Sequence, residues 1–167
     1  MPRVSDRLKG MQRAITIISI LIAGCGGSKK PSDAPGAEQT ALTPGLKCLD
    51  LAKVPRTAAK DAPARMDVSH IVIRYAGLRN AETVTRTREE ACLRAEEVRT
   101  KLLAGGDWES LYDTYSDSKD AMKGEFKSVA EDGLEKKFGD AAFALKVDEL
   151  SHVVETENGF HVIWRMK

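Results

Sequence analysis

His70 and His161 are the residues of this chain whose type and setting point most directly to chemistry. His70 lies in Val68-Ser69-His70-Ile71-Val72-Ile73, and His161 in Asn158-Gly159-Phe160-His161-Val162-Ile163-Trp164. Both runs are strand-like, rich in β-branched and aromatic residues. An imidazole on each of two neighbouring strands can face the other across a shallow pocket, where the pair would orient a substrate and set the local field. A zinc site would need a third ligand at suitable spacing. Neither Cys-x-x-Cys nor His-x-x-x-His occurs, so no metal or other cofactor is expected. His152, beside Ser151 in an expected turn, reads as a surface residue.

The elements that must position the two histidines follow from local pattern. Val68 to Tyr75 predicts a strand, and alternation puts His70 on the face shared by Val68, Val72 and Arg74. A loop follows over residues 76–86. Thr87 and Glu90 have the spacing of a capping box, opening a helix with Ala91, Ala95, Val98 and Leu102 as its buried stripe. Gly105-Gly106 ends it. Trp108, Leu111, Tyr112 and Tyr115 mark a second amphipathic helix, and a polar loop covers residues 116–123. Gly124-Glu125-Phe126 suits a short strand or a turn. Leu134, Phe138, Ala142 and Leu145 predict a third helix, interrupted at Gly139. Val153 to Thr156 and Phe160 to Arg165 are strands, with Asn158-Gly159 favouring a tight hairpin between them. The order strand, helix, helix, helix, strand, strand is an α+β pattern: a small antiparallel sheet of about four strands packed by three to four helices. First and last strands can then be neighbours, which brings His70 and His161 together.

Composition narrows the function class. The chain has 167 residues, 26 basic and 25 acidic, for a net charge of +1, so nothing argues for nucleic-acid binding. Aromatics are 5% of the chain, too few to suggest a base-stacking platform. Nothing indicates an oligomer, and a monomer is expected. At the N-terminus, Arg3, Arg7, Lys9 and Arg13 precede the apolar run Ala14 to Ile22, which is too short to span a bilayer. Ala23-Gly24 and Cys25 follow, a secretory signal layout in which Met11 offers a second start. Ile22-Ala23-Gly24-Cys25 resembles the lipobox of bacterial lipoproteins. That resemblance implies a signal peptide over residues 1–24 and a lipid on Cys25. Gly26 then points to the outer membrane, facing the periplasm. Residues 25–66 read as a flexible tether rich in Pro, Ala and Gly; all six prolines precede Met66. Leu42, Leu46, Leu49 and Val54 would allow a short helix that docks on the globular module, residues 67–167. Cys48 and Cys92 either pair in an oxidising compartment or remain two buried thiols.

The module resembles the parvulin-type peptidyl-prolyl cis-trans isomerases. The resemblance is carried by Ser69 to Ile73, Thr85 to Ala91, Tyr115-Ser116-Asp117, Lys137 to Leu145, Glu149-Leu150-Ser151 and Thr156 to Ile163, in that order. It implies an FKBP-like fold and an enzyme that rotates X-Pro bonds in exported or unfolded polypeptides, assisting their folding. His70 and His161 fall on the family's facing histidines, and Thr156 on the hydroxyl that bonds one of them. Ser118 falls where cysteine or aspartate is usual. Phe126, Leu134 and Phe138 fall on the pocket for the proline ring, with Glu135 at its border. Arg74 and Arg79 lie where some members bind an anion before proline. Two departures, Ser118 and the run Gly124-Glu125-Phe126-Lys127, leave room for a second expectation: a catalytically weak domain that holds peptides as a chaperone or docking module.

Overall fold

The computed structural model describes residues 43–167. The signal segment, Cys25 and the tether as far as residue 42 lie outside the described residues. The chain runs α1 (Pro44–Ala52), β1 (Met66–Ile73), α2 (Arg88–Leu103), α3 (Trp108–Tyr115), β2 (Glu125–Val129), α4 (Lys136–Phe143), β3 (Val154–Thr156) and β4 (Gly159–Arg165), with a 3-10 turn at Glu131–Gly133. The four strands form one antiparallel sheet in the order β2-β1-β4-β3. The first and last strands are therefore paired, as the α+β expectation requires.

Seven of the eight β1 residues are buried, because both faces of the sheet are covered. Ile71, Ile73, Phe160 and Val162 point to a core shared with α1, α2 and α3. Val68 and Ile163 point the other way, to a smaller core with Val154 and with Phe138, Ala142 and Phe143 of α4. The capping box of α2 is complete: the Thr87 N–H donates to Glu90 at 2.7 Å, and the Glu90 N–H to Thr87 Oγ1 at 3.2 Å.

Three sequence expectations change. The segment read as tether up to residue 66 holds α1, whose Cys48, Leu49 and Ala52 are buried in the main core. Cys48 and Cys92 form a disulfide, with Cα atoms 6.0 Å apart, so α1 is stapled to α2. The third helix is not interrupted at Gly139; α4 runs through it. A Cβ there would lie 3.1 Å from the Glu131 carbonyl, so the glycine serves close packing against the 3-10 turn rather than a break. The hairpin turn is tight, but Glu157 and Asn158 are its two central residues, and Gly159 already pairs with Thr156. Gly159 has φ +127°, and an added Cβ would sit 2.5 Å from the Ile73 carbonyl.

Candidate active site

Strand register brings the two histidines together. His70 pairs across from Ile163, and Val72 from His161, so the imidazoles are diagonal neighbours on one face of β1 and β4. Their ring centroids are 5.3 Å apart, with planes at 55°. Phe126 of β2 stacks on His70 at 5.2 Å. Phe138 of α4 meets both imidazoles edge-on, at 5.3 Å each. The result is a small aromatic pocket. Phe138 and both histidines are buried, and Phe126, 39% exposed, forms its open rim. Leu134 is half-buried against the same core, and Glu135 is exposed at the start of α4. A groove of about 610 Å³ runs alongside, over Ala64, Ala130, Glu131, Leu134, Lys136 and Asp140.

Thr156 ends β3 opposite Gly159, which aims its side chain across the hairpin at His161. Thr156 Oγ1 lies 2.8 Å from His161 Nε2 and accepts the Asn158 N–H at 3.0 Å. The hydroxyl is thus held from both sides and fixes the ring of His161. Burial strips water from both imidazoles and disfavours their charged forms. His70 is lowered to about 4, mainly by burial and against the pull of Asp120 and the Gly124 carbonyl. His161 is pushed well below its ordinary value by burial, then by His70 and Arg74. At neutral pH the pair is uncharged, which suits orientation and shape more than proton transfer.

The loop before β2 closes over β1. The Asp117 N–H donates to the Val72 carbonyl at 2.8 Å, and the Val72 N–H to Ser116 Oγ at 3.4 Å. Gly124 (φ +74°) accepts the His70 N–H at 3.0 Å, and a Cβ at Gly124 would lie 2.2 Å from the His70 carbonyl oxygen. This approach brings the loop, with Ser118, alongside the histidine strand. The Ser118 hydroxyl donates to Asp120 Oδ2 at 3.3 Å. Asp120 is a residue that sequence reasoning passed over. Nothing in the polar run Ser116 to Lys123 distinguishes one carboxylate from its neighbours without the turn geometry.

The arginines resolve differently from expectation. Arg74 Nη1 donates to the Asn80 and Asp117 carbonyls, each at 3.1 Å, so its guanidinium is engaged by the loop rather than held free for an anion. The buried Asp117 backbone and the close return of residues 76–86 recruit it. Arg79 is exposed. Arg86 pairs with Asp117, and Arg88 makes a two-pronged pair with Glu155. Among the described residues no cluster of three metal-ligating side chains forms.

A family model for the PPIC-type PPIASE domain matches residues 50–165. The chain belongs to the PpiC-type peptidyl-prolyl cis-trans isomerases, the parvulins. It is 37% identical over 116 residues to the peptidyl-prolyl cis-trans isomerase pin1 of Schizosaccharomyces pombe, across 65% of this chain and 66% of that one. It is 32% identical over 112 residues to the putative peptidyl-prolyl cis-trans isomerase dodo of Drosophila melanogaster, across 63% and 68%. The match therefore spans about two thirds of these relatives. The peptidyl-prolyl isomerase ESS1 from Candida albicans has the same fold, with a TM-score of 0.56 at 24% identity over 66% of each chain. The parvulin fold includes the family match from residue 50, inside α1, which agrees with the docking of that helix.

Proposed function

We propose that this parvulin isomerises X-Pro bonds of exported or unfolded polypeptides, and does so without covalent chemistry. An X-Pro bond rotates over a barrier of about 18–20 kcal/mol set by amide resonance. The enzyme has only to favour the twisted amide over the planar one, and a thousandfold acceleration needs about 4 kcal/mol of such preference. Phe126, Leu134 and Phe138 take the proline ring and exclude water, which otherwise stabilises the polar planar amide. His70 and His161, neutral and held by Thr156, form the floor. Ser118 meets the carbonyl as it turns. The observation that carries this reading is the histidine pair, 5.3 Å between centroids, with Phe126 and Phe138 as its walls.

The test is cis/trans exchange by NMR on peptides with Glu-Pro, Ala-Pro, Leu-Pro and phosphoserine-Pro, with His70→Ala as control. Exchange accelerated by the wild type and lost in the variant supports the isomerase. Peptide binding without faster exchange replaces it with a peptide-holding domain.

The same proposal places the protein on a membrane through lipid at Cys25, supported by the Ile22-Ala23-Gly24-Cys25 motif. α1 packs on the sheet face opposite the histidines, so a chain arriving at Thr43 enters behind the pocket and leaves its mouth free for clients. Mass spectrometry of the N-terminal peptide, and release of a Cys25→Ala variant from membranes, checks the anchor. An unmodified N-terminal peptide overturns it.

A further inference from the structure

The site as described holds two neutral imidazoles, yet one carboxylate is built into its edge. Asp120 sits in the loop that Gly124 ties to His70. Its Oδ1 accepts the Gly124 N–H at 3.1 Å. Its Oδ2 accepts two hydroxyls, Tyr112 at 3.0 Å and Ser118 at 3.3 Å. The Asp120 N–H returns a bond to the Tyr112 oxygen at 3.3 Å, so the carboxylate is anchored from α3 as well as from its own turn. Holding the turn needs only Oδ1. The Oδ2 contacts have a different consequence: Ser118 has one hydroxyl proton, and Asp120 takes it. Ser118 itself is fixed beside the histidine strand, since its N–H donates to Ser116 Oγ at 3.3 Å and that same oxygen accepts the Val72 N–H. Val72 is the residue paired opposite His161.

We propose that Asp120 is a positioning residue for isomerisation, acting through Ser118. By taking the hydroxyl proton it turns Ser118 into an acceptor alone, with its lone pairs, backed by a carboxylate, facing the substrate amide. The planar amide owes its rotational barrier to charge drawn from nitrogen onto the carbonyl oxygen. Negative potential at that oxygen opposes the charge transfer and so favours the twisted state. A fixed dipole in a partly dry site does this without reorganising during the reaction. The carboxylate is suited to the task, because its bonds from Gly124, Tyr112 and Ser118 outweigh its partial burial and hold its titration below the usual aspartate range. Ser118 and Asp120 together then supply the negative charge that a serine alone lacks.

The inference rests on the isomerase reading, and the experiment separates the two. Asp120→Asn keeps Oδ1 for the Gly124 N–H but presents an NH₂ to Ser118, which reverses the hydroxyl. Exchange of an Ala-Pro peptide is measured by NMR on the full chain, with kcat and KM resolved. Asp120→Asn is expected to lower kcat about tenfold, with KM within about twofold. Ser118→Ala should lose as much, Ser118→Thr should recover most of it, and the double variant Ser118→Ala/Asp120→Asn should be no worse than Ser118→Ala. Ser118→Ala and Ser118→Thr leave the turn untouched, so they decide the matter even where Asp120→Asn folds poorly. An Asp120→Asn enzyme within about twofold of wild type, or losses that multiply in the double variant, overturns the proposal. A wild-type chain that fails to speed exchange overturns the isomerase reading and this one with it.

Discussion

Burying two histidines without charged partners makes the stability of the fold pH-dependent in a definite direction. An unfolded histidine titrates near pH 6.5. Folded His70 titrates at about 4, because burial disfavours the imidazolium. Between these values the unfolded chain binds a proton that the folded chain refuses, so stability is complete above about pH 6.5 and falls as pH drops. The loss grows by about 1.4 kcal/mol per pH unit and reaches about 3 kcal/mol near pH 4, where folded His70 begins to accept the proton. His161 is shifted the same way, so it adds to the loss in this window and continues below it. Carboxylates also titrate there, so the diagnostic quantity is a difference. Urea denaturation of wild type and His70→Asn is compared from about pH 7.5 to about pH 4.5. The asparagine variant is neutral throughout, so its curve lacks the His70 contribution. The wild-type curve should fall more steeply, by about 2–3 kcal/mol over the range. Parallel curves would show that His70 is not kept neutral by the fold, and the uncharged pocket floor would have to be abandoned.

Other perturbations probe the supports of the site. Thr156→Val leaves His161 Nε2 buried without a partner and should cost about 1–3 kcal/mol in urea unfolding, with exchange slowed about tenfold. Cys48→Ser opens a cross-link between residues 44 apart in sequence. Chain-entropy reasoning puts the loss near 4 kcal/mol, read as a lower thermal midpoint, while kcat stays within about twofold because α1 lies behind the sheet. Gly124→Ala places a Cβ against the His70 carbonyl at a positive φ, and should destabilise by more than about 2 kcal/mol and abolish exchange. Unchanged exchange in that variant would mean that closure of the loop on β1 is not needed for turnover.

What could be read from sequence was what local pattern encodes. The Thr87–Glu90 cap, the β-branched run of β1, the amphipathic stripe of α2 and the placement of His70 and His161 depend on spacing within one element or on alternation, and each is found in the fold. β2 was ambiguous because it is an edge strand with exposed Phe126, Lys127 and Ser128 and no alternation to reveal it. It also carries an irregular register against Met66 and Val68. The Cys48–Cys92 bridge was undecidable because pairing depends on the approach of α1 to α2, and only packing fixes that distance. Gly45 is the trace it left: a Cβ there would lie 2.9 Å from the Glu89 Cβ. Gly139 was misread because a glycine that permits close contact and one that ends a helix look alike in sequence.

The arginines between residues 74 and 88 show why charge is the least legible property. In sequence they make a basic loop after β1, open to an anion. In the fold Arg86 reaches Asp117, 31 residues away, and Arg88 reaches Glu155, 67 residues away. A planar guanidinium finds a carboxylate with two prongs only once tertiary structure has delivered it. The Arg88–Glu155 pair, joined by the Tyr75 hydroxyl at 3.3 Å, ties the start of α2 to β3. Glu155 is followed by Thr156, and Thr156 holds His161. Arg88 therefore bears on the site through backbone geometry, by pinning the strand whose last residue fixes the imidazole. A basic loop that looked like a substrate reader is, for Arg74, Arg86 and Arg88, part of the frame that keeps the histidine pair in register.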